Sequence, residues 1–273
     1  MNKNVSIVII IILVAISVVF YAYYYVNRDL GEEENPGNNG NEGETPTEPV
    51  VIDYDMLVID NISNWGYVDG RWRTLDIDEI EDNEFVVYVN HQYYGNYNLK
   101  YGTIWNLFDD NNSYVEYYGD LIAYSNDFNV VIPSYAVTNV TGVEISEITT
   151  ILGHGFNSST LSTNEVVNID LDSNGIVDKI VNVSNLDSLE EEQYYFNLCY
   201  VVLNNEIQVV IDDEVQYREI MSYPVYKLNY ILRYDNNSVY SFILQEGYFS
   251  NVGETQNNLY DYVDGNYIRS FSD

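Results

Sequence analysis

The nine residues Asp170-Leu171-Asp172-Ser173-Asn174-Gly175-Ile176-Val177-Asp178 constrain the fold more than any other stretch of the chain. Side-chain oxygens stand at the first, third, fifth and ninth places, glycine at the sixth, and the Ile176 carbonyl at the seventh. This is the spacing that wraps a hard cation in alternating oxygens. Gly175 suits the reversal such a loop requires, because positive φ costs glycine no Cβ clash. The flanks restrict the geometry further. Val166-Val167-Asn168-Ile169 precedes the loop, and Lys179-Ile180-Val181-Asn182-Val183-Ser184 follows it with apolar and polar residues alternating. Two strands are therefore predicted to meet here. An EF-hand would place a bidentate Glu at the twelfth position and a helix behind it, whereas Val181 stands there. Asp170, Asp172, Asn174, Asp178 and the Ile176 carbonyl are thus the expected ligands of one structural Ca²⁺. The competing reading is an acidic turn that holds no ion, because Asp, Asn and Gly favour turns by themselves.

A strand, D-x-D-x-N-G-x-x-D and a second strand together resemble the calcium loops of FG-GAP and VCBS-type repeats, found in β-propellers and bacterial surface proteins. The resemblance covers Val166 to Ser184 and implies metal-stabilised β-hairpins in an extracellular protein. A degenerate copy lies further along the chain, in which Asp235 aligns with Asp172 and Asn237 with Asn174, between the apolar runs Tyr230-Ile231-Leu232 and Phe242-Ile243-Leu244. Arg233 replaces Asp170 and Ser241 replaces Asp178, which puts a fixed positive charge where an ion's charge would lie. The second loop is expected to be metal-free, with Arg233 pairing with Asp235 or a nearby carboxylate. Two copies are too few for a closed propeller.

Val5 to Val26 is an uncharged apolar and aromatic run, long enough to cross a hydrocarbon core of about 30 Å as a helix. A single-pass signal anchor is predicted, with residues 1–4 as a cytoplasmic stub and 27–53 as a flexible acidic linker. A cleaved signal peptide is the alternative, but it needs small residues before the cut, and ending at Ala22 would put Phe20 at the −3 place. Lys3 precedes the run, whereas Arg28 is followed by Asp29, Glu32, Glu33 and Glu34. The basic residues lean toward an inside N-terminus, so the large acidic portion is expected outside the cell. Membrane contact is expected through the N-terminal helix.

The remainder reads as mainly β: antiparallel sandwich or barrel-like domains at 54–150 and 151–273. Short strand patterns recur at close intervals, Asp69-Gly70 and Asp264-Gly265 mark hairpins, and Val143 to Leu152 is the best helical pattern. The 43 acidic residues against 10 basic ones, a formal charge of −33, exclude nucleic acid as a partner on electrostatic grounds. The 29 tyrosines, including Tyr93-Tyr94 and Tyr117-Tyr118, can pack sheets or form an aromatic platform for a glycan or protein. The lone Cys199 lies in an apolar strand and is expected to behave as a small hydrophobe. Asp212-Asp213-Glu214 reads as a charged hairpin tip.

Neither His91 nor His154 has zinc-ligand spacing, and no G-x-S-x-G elbow or P-loop is present. Glu246 is one conceivable acid among many carboxylates. The leading functional expectation is a non-catalytic binding or adhesion module on the cell surface, with a glycan or protein ligand. An accessory subunit of an envelope complex is the second reading, and a hydrolase using paired carboxylates in an aromatic cleft is the third.

Overall fold

The computed structural model describes residues 54–81, 83–186, 194–215, 223–235, 237–248 and 255–272. The predicted membrane segment, the linker and the acidic bridge Asp187 to Glu192 lie outside these residues. Among the described residues no helix is long and apolar enough to cross a membrane. The chain from Ile52 to Asp273 is one compact unit, mainly β and antiparallel throughout its pairings. The division near residue 150 expected from sequence falls inside it, at the end of the helix Gly142–Leu152.

The first sheet holds β1 (Asp55–Ile59), β2 (Ser63–Val68), β3 (Arg71–Thr74), β4 (Glu84–Val89), β5 (Gln92–Tyr101), β6 (Trp105–Phe108), β7 (Tyr114–Val115) and β8 (Leu121–Ser125). Their order is β3-β2-β1-β8-β4-β5-β6-β7. After β9 (Val130–Val131), a second sheet takes β10 (Val137–Thr138), β11 (Thr163–Ile169), β12 (Asp178–Ser184), β13 (Tyr195–Leu203) and β14 (Glu206–Val215) side by side. The third sheet runs β18-β17-β16-β15-β9, with β15 at Pro224–Tyr234, β16 at Ser241–Tyr248, β17 at Gln256–Val263 and β18 at Asn266–Ser272.

The side-chain period of two explains how the sheets stack. On β15 the residues Tyr230, Leu232 and Tyr234 pack against Leu57, Ile59, Trp65 and Ile122 of the first sheet. Ile231, between them, turns to Ile180, Cys199 and Val201 of the second. On β16 Ile243 joins the first group, while Phe242 and Leu244 join the second. The central strands of the third sheet are therefore buried on both faces, and this is why Tyr230-Ile231-Leu232 and Phe242-Ile243-Leu244 are unbroken apolar runs. Each fully buried large apolar side chain contributes roughly 1.5–3 kcal/mol, so the middle layer is where the fold is held.

The outer face of the second sheet is covered by the helix Gly142–Leu152, whose Ile148 packs on Val181, Val183, Phe196 and Tyr200. A capping box starts that helix, with Thr141 and Glu144 each receiving the other's backbone N–H. Gly153 ends it at φ 75°, a left-handed conformation that glycine takes readily. Lys179 Nζ reaches Glu144 Oε1 at 3.0 Å and Glu147 Oε2 at 2.7 Å, and Tyr200 Oη donates to Glu147 at 2.7 Å. This network fastens helix to sheet one residue from Asp178.

Burial alone would raise the Glu144 pKa, but hydrogen bonds from Thr141 and Lys179 outweigh it and hold the carboxyl at about 2, below its ordinary 4.5. Because the folded pKa is depressed, the stabilisation is present in full above about pH 4.5 and is lost as pH falls toward 2. The stability difference between the natural chain and Glu144→Gln should accordingly be constant at neutral pH and narrow across that acid window. Urea titrations of both at several pH values measure it. A difference that stays constant down the window would show that the carboxylate is not held by this network.

Candidate metal centre

β11 and β12 are antiparallel neighbours, with Ile169 opposite Asp178, so the acidic loop is the connection of a hairpin. Leu171, in its first turn, is fully buried in the core between the second and third sheets. One apolar residue thus plugs the loop into the body while its neighbours stay at the surface. Gly175 has φ 86°, as the turn requires, and Ser173 takes φ 59° as well. The sequence offered no sign of the second reversal.

The Asp170, Asp172 and Asp178 carboxylates each place an oxygen within 4.8 Å of the others. Asp170 accepts the N–H groups of Asn174 at 3.0 Å and Gly175 at 2.7 Å. Asp172 accepts the Asn174 N–H at 3.2 Å and the amide groups of Asn174 and Asn204, both at 2.9 Å. Asp178 is buried, with Oδ2 accepting the Leu171 N–H at 2.9 Å and Oδ1 the Asn204 N–H at 3.0 Å.

Asn174 is beside the cluster, but its Oδ1 accepts the Ile176 N–H at 2.7 Å and its amide nitrogen turns to Asp172 and Asn204. Ile176 is 52% exposed at the loop's outer edge. Asn204 is the residue sequence spacing missed. It belongs to the turn between β13 and β14, where Asn204 and Asn205 have φ 53° and 67°, and it meets the loop only because β12 pairs with β13. The Asn-Asn pair announces a turn and gives no hint of the partner.

A carboxylate has about four lone-pair directions, so the hydrogen bonds on Asp170, Asp172 and Asp178 leave capacity for an ion. The donors are all oxygen, which suits a hard cation such as Ca²⁺ and not metals that select nitrogen or sulfur. With no ion, each carboxylate pair repels by roughly 1 kcal/mol even at the dielectric of water.

No family model, curated protein or solved structure matches this chain.

The degenerate copy lies against the first. The loop between β15 and β16 donates the Tyr240 N–H to the Leu171 carbonyl at 2.8 Å. Arg233 sits over the Tyr240 ring at 4.9 Å and donates to Ser173 Oγ at 3.1 Å, so its charge is directed to the acidic loop. Ser241, at the place of Asp178, donates to the Asp261 carboxylate, as does Tyr234 at 2.7 Å.

Other residues singled out in the sequence have structural partners. Asp212, Asp213 and Glu214 lie within β14 and not at a tip, the turn being at Asn204-Asn205. Glu214 meets His154 Nε2 at 2.7 Å, and His154 stacks on Tyr194. His91 Nδ1 is 3.0 Å from Tyr135 Oη, and burial holds its pKa down. Glu246 is buried and accepts from Gln256 at 3.0 Å and Asn258 at 3.1 Å. Cys199 is fully buried, and burial pushes its thiol pKa up, away from thiolate chemistry.

Proposed function

We propose that this protein is a non-catalytic binding or adhesion module of the cell surface, anchored by its N-terminal segment and carrying a structural Ca²⁺ at the loop Asp170 to Asp178. The observation that carries this reading is the convergence of three carboxylates on a hairpin loop whose base is plugged into the core. An ion there would tie the β11–β12 hairpin to the β13–β14 turn through Asp178 and Asn204, stiffening one end of the second sheet. Asp170, Asp172 and Asp178 would hold it, with the Ile176 carbonyl and Asn174 Oδ1 completing the set once Asn174 exchanges its bond to the Ile176 N–H. A site with three carboxylates and no bidentate Glu belongs with the weak extracellular sites, with dissociation constants on the order of 10⁻⁴ to 10⁻³ M. Such a site fills only where calcium is millimolar, which agrees with the outside placement read from Lys3 and the acidic flank of Arg28.

Orientation is tested with protease added to intact cells that carry the full chain. The portion beyond Gly31 should be degraded. Its protection would reverse the topology and remove the compartment in which a weak calcium site works.

A further inference from the structure

The first sheet carries a cleft of about 430 Å³ beside the β4–β5 turn, lined by Gln92, Tyr93, Tyr94, Glu116, Tyr117 and Tyr118 among others. Tyr118 is 75% exposed and Tyr93 62%. These are not loose surface rings. Tyr93 Oη donates to Asn96 at 3.1 Å, Tyr94 Oη to the Glu116 carbonyl at 2.9 Å, and Tyr117 Oη to the Trp105 carbonyl at 3.1 Å. The Tyr118 hydroxyl donates to the Glu116 carboxylate.

The backbone beneath them is clamped as well. Asn90 Nδ2 donates to the Tyr118 carbonyl at 3.0 Å, and its Oδ1 accepts the Asp120 N–H at 3.1 Å. Gly119 permits this, since at φ 120° a Cβ would lie 2.0 Å from Asn90 Oδ1. The cleft is thus built before any ligand arrives, and ordering rings in advance removes part of the entropy a ligand would otherwise have to overcome.

We propose that this cleft binds a short neutral oligosaccharide. Tyrosine rings offer apolar surface to the C–H face of a sugar, while the Gln92 amide and Glu116 carboxylate are placed to bond its hydroxyls, the carboxylate the more strongly. No lysine or arginine lines the cleft, and the chain carries −33 formal charges, so sulfated or carboxylated sugars are repelled. A volume near the lower end of the roughly 300–1,000 Å³ of small-molecule sites suits a few sugar units. A protein partner would need about 800 Å² of contact on its side, more than the cleft provides. A quaternary ammonium would use the rings and the Glu116 charge but would make no use of the Gln92 amide. The proposal names a ligand class for the surface module and rests on that reading for its setting, although the cleft lies on a different sheet from the acidic loop.

The test titrates the full chain, in a detergent without a sugar headgroup, with neutral hexose and N-acetylhexosamine oligomers from disaccharide to tetrasaccharide, followed by calorimetry. At least one should bind. Tyr118→Ala and Tyr93→Ala should each weaken that binding by roughly tenfold or more, and Gln92→Ala by less, with unfolding midpoints unchanged. The proposal is overturned if no oligomer binds the natural chain or if binding survives all three substitutions. Tighter binding of tetramethylammonium, or of a sulfated oligosaccharide, overturns it equally. Chelator-dependent stability measured on the same variants keeps a failed cleft distinct from a failed calcium site.

Discussion

Asp178→Ala is expected to destabilise the chain by about 3 kcal/mol with calcium chelated, because this carboxylate is a structural anchor before it is a ligand. It is 3% exposed, and its two oxygens accept the backbone N–H groups of Leu171 and Asn204. A hydrogen bond to a charged group is worth about 1.5–3 kcal/mol, and a buried donor left unpaired costs a similar amount. Alanine would leave the buried Leu171 amide and the more exposed Asn204 amide without this acceptor, so the losses combine, offset in part by water reaching Asn204 and by relief of the repulsion from Asp170 and Asp172. Asp178→Asn keeps one acceptor and should lose about half as much. Asp172 differs: its partners are exposed loop groups, so Asp172→Ala in chelator should cost less than about 1 kcal/mol. Urea denaturation of the three variants in chelator measures these values. Equal midpoints for Asp178→Ala and the natural chain would show that the two amide bonds contribute nothing.

The strand pattern on either side of the acidic loop was legible in the sequence because β-branched residues and alternation are local properties. The helix Gly142–Leu152 was legible for a related reason, its pattern over Val143 to Leu152 being local, whereas its capping box and the left-handed Gly153 were found only in the structure. The stacking order was not. Tyr230-Ile231-Leu232 is apolar at every place, which marks burial on both faces but does not name the layers that cover them. The acidic triplet at Asp212 misled for a physical reason. β14 is an edge strand, and charges on an edge discourage further pairing, so a run resembling a hairpin tip lies inside the strand, near its end. At the site, the three carboxylates were legible from spacing. Asn204 and the approach of Arg233 to Ser173 were not, since both arise from strand pairing and sheet stacking between distant segments.

Calcium is expected to produce the second large effect. An ion that binds only the folded state, present at about one hundred times its dissociation constant, adds roughly 2.7 kcal/mol of stability. Magnesium should add much less, since it requires a tighter octahedron and releases its waters reluctantly. The most direct measurement is thermal unfolding of the full chain with millimolar calcium and then with chelator, for the natural sequence and for Asp172→Ala. The calcium account predicts that chelator lowers the midpoint of the natural chain and leaves that of Asp172→Ala unchanged. If chelator lowers both equally, or neither, the loop from Asp170 to Asp178 is an acidic turn and the calcium centre is contradicted.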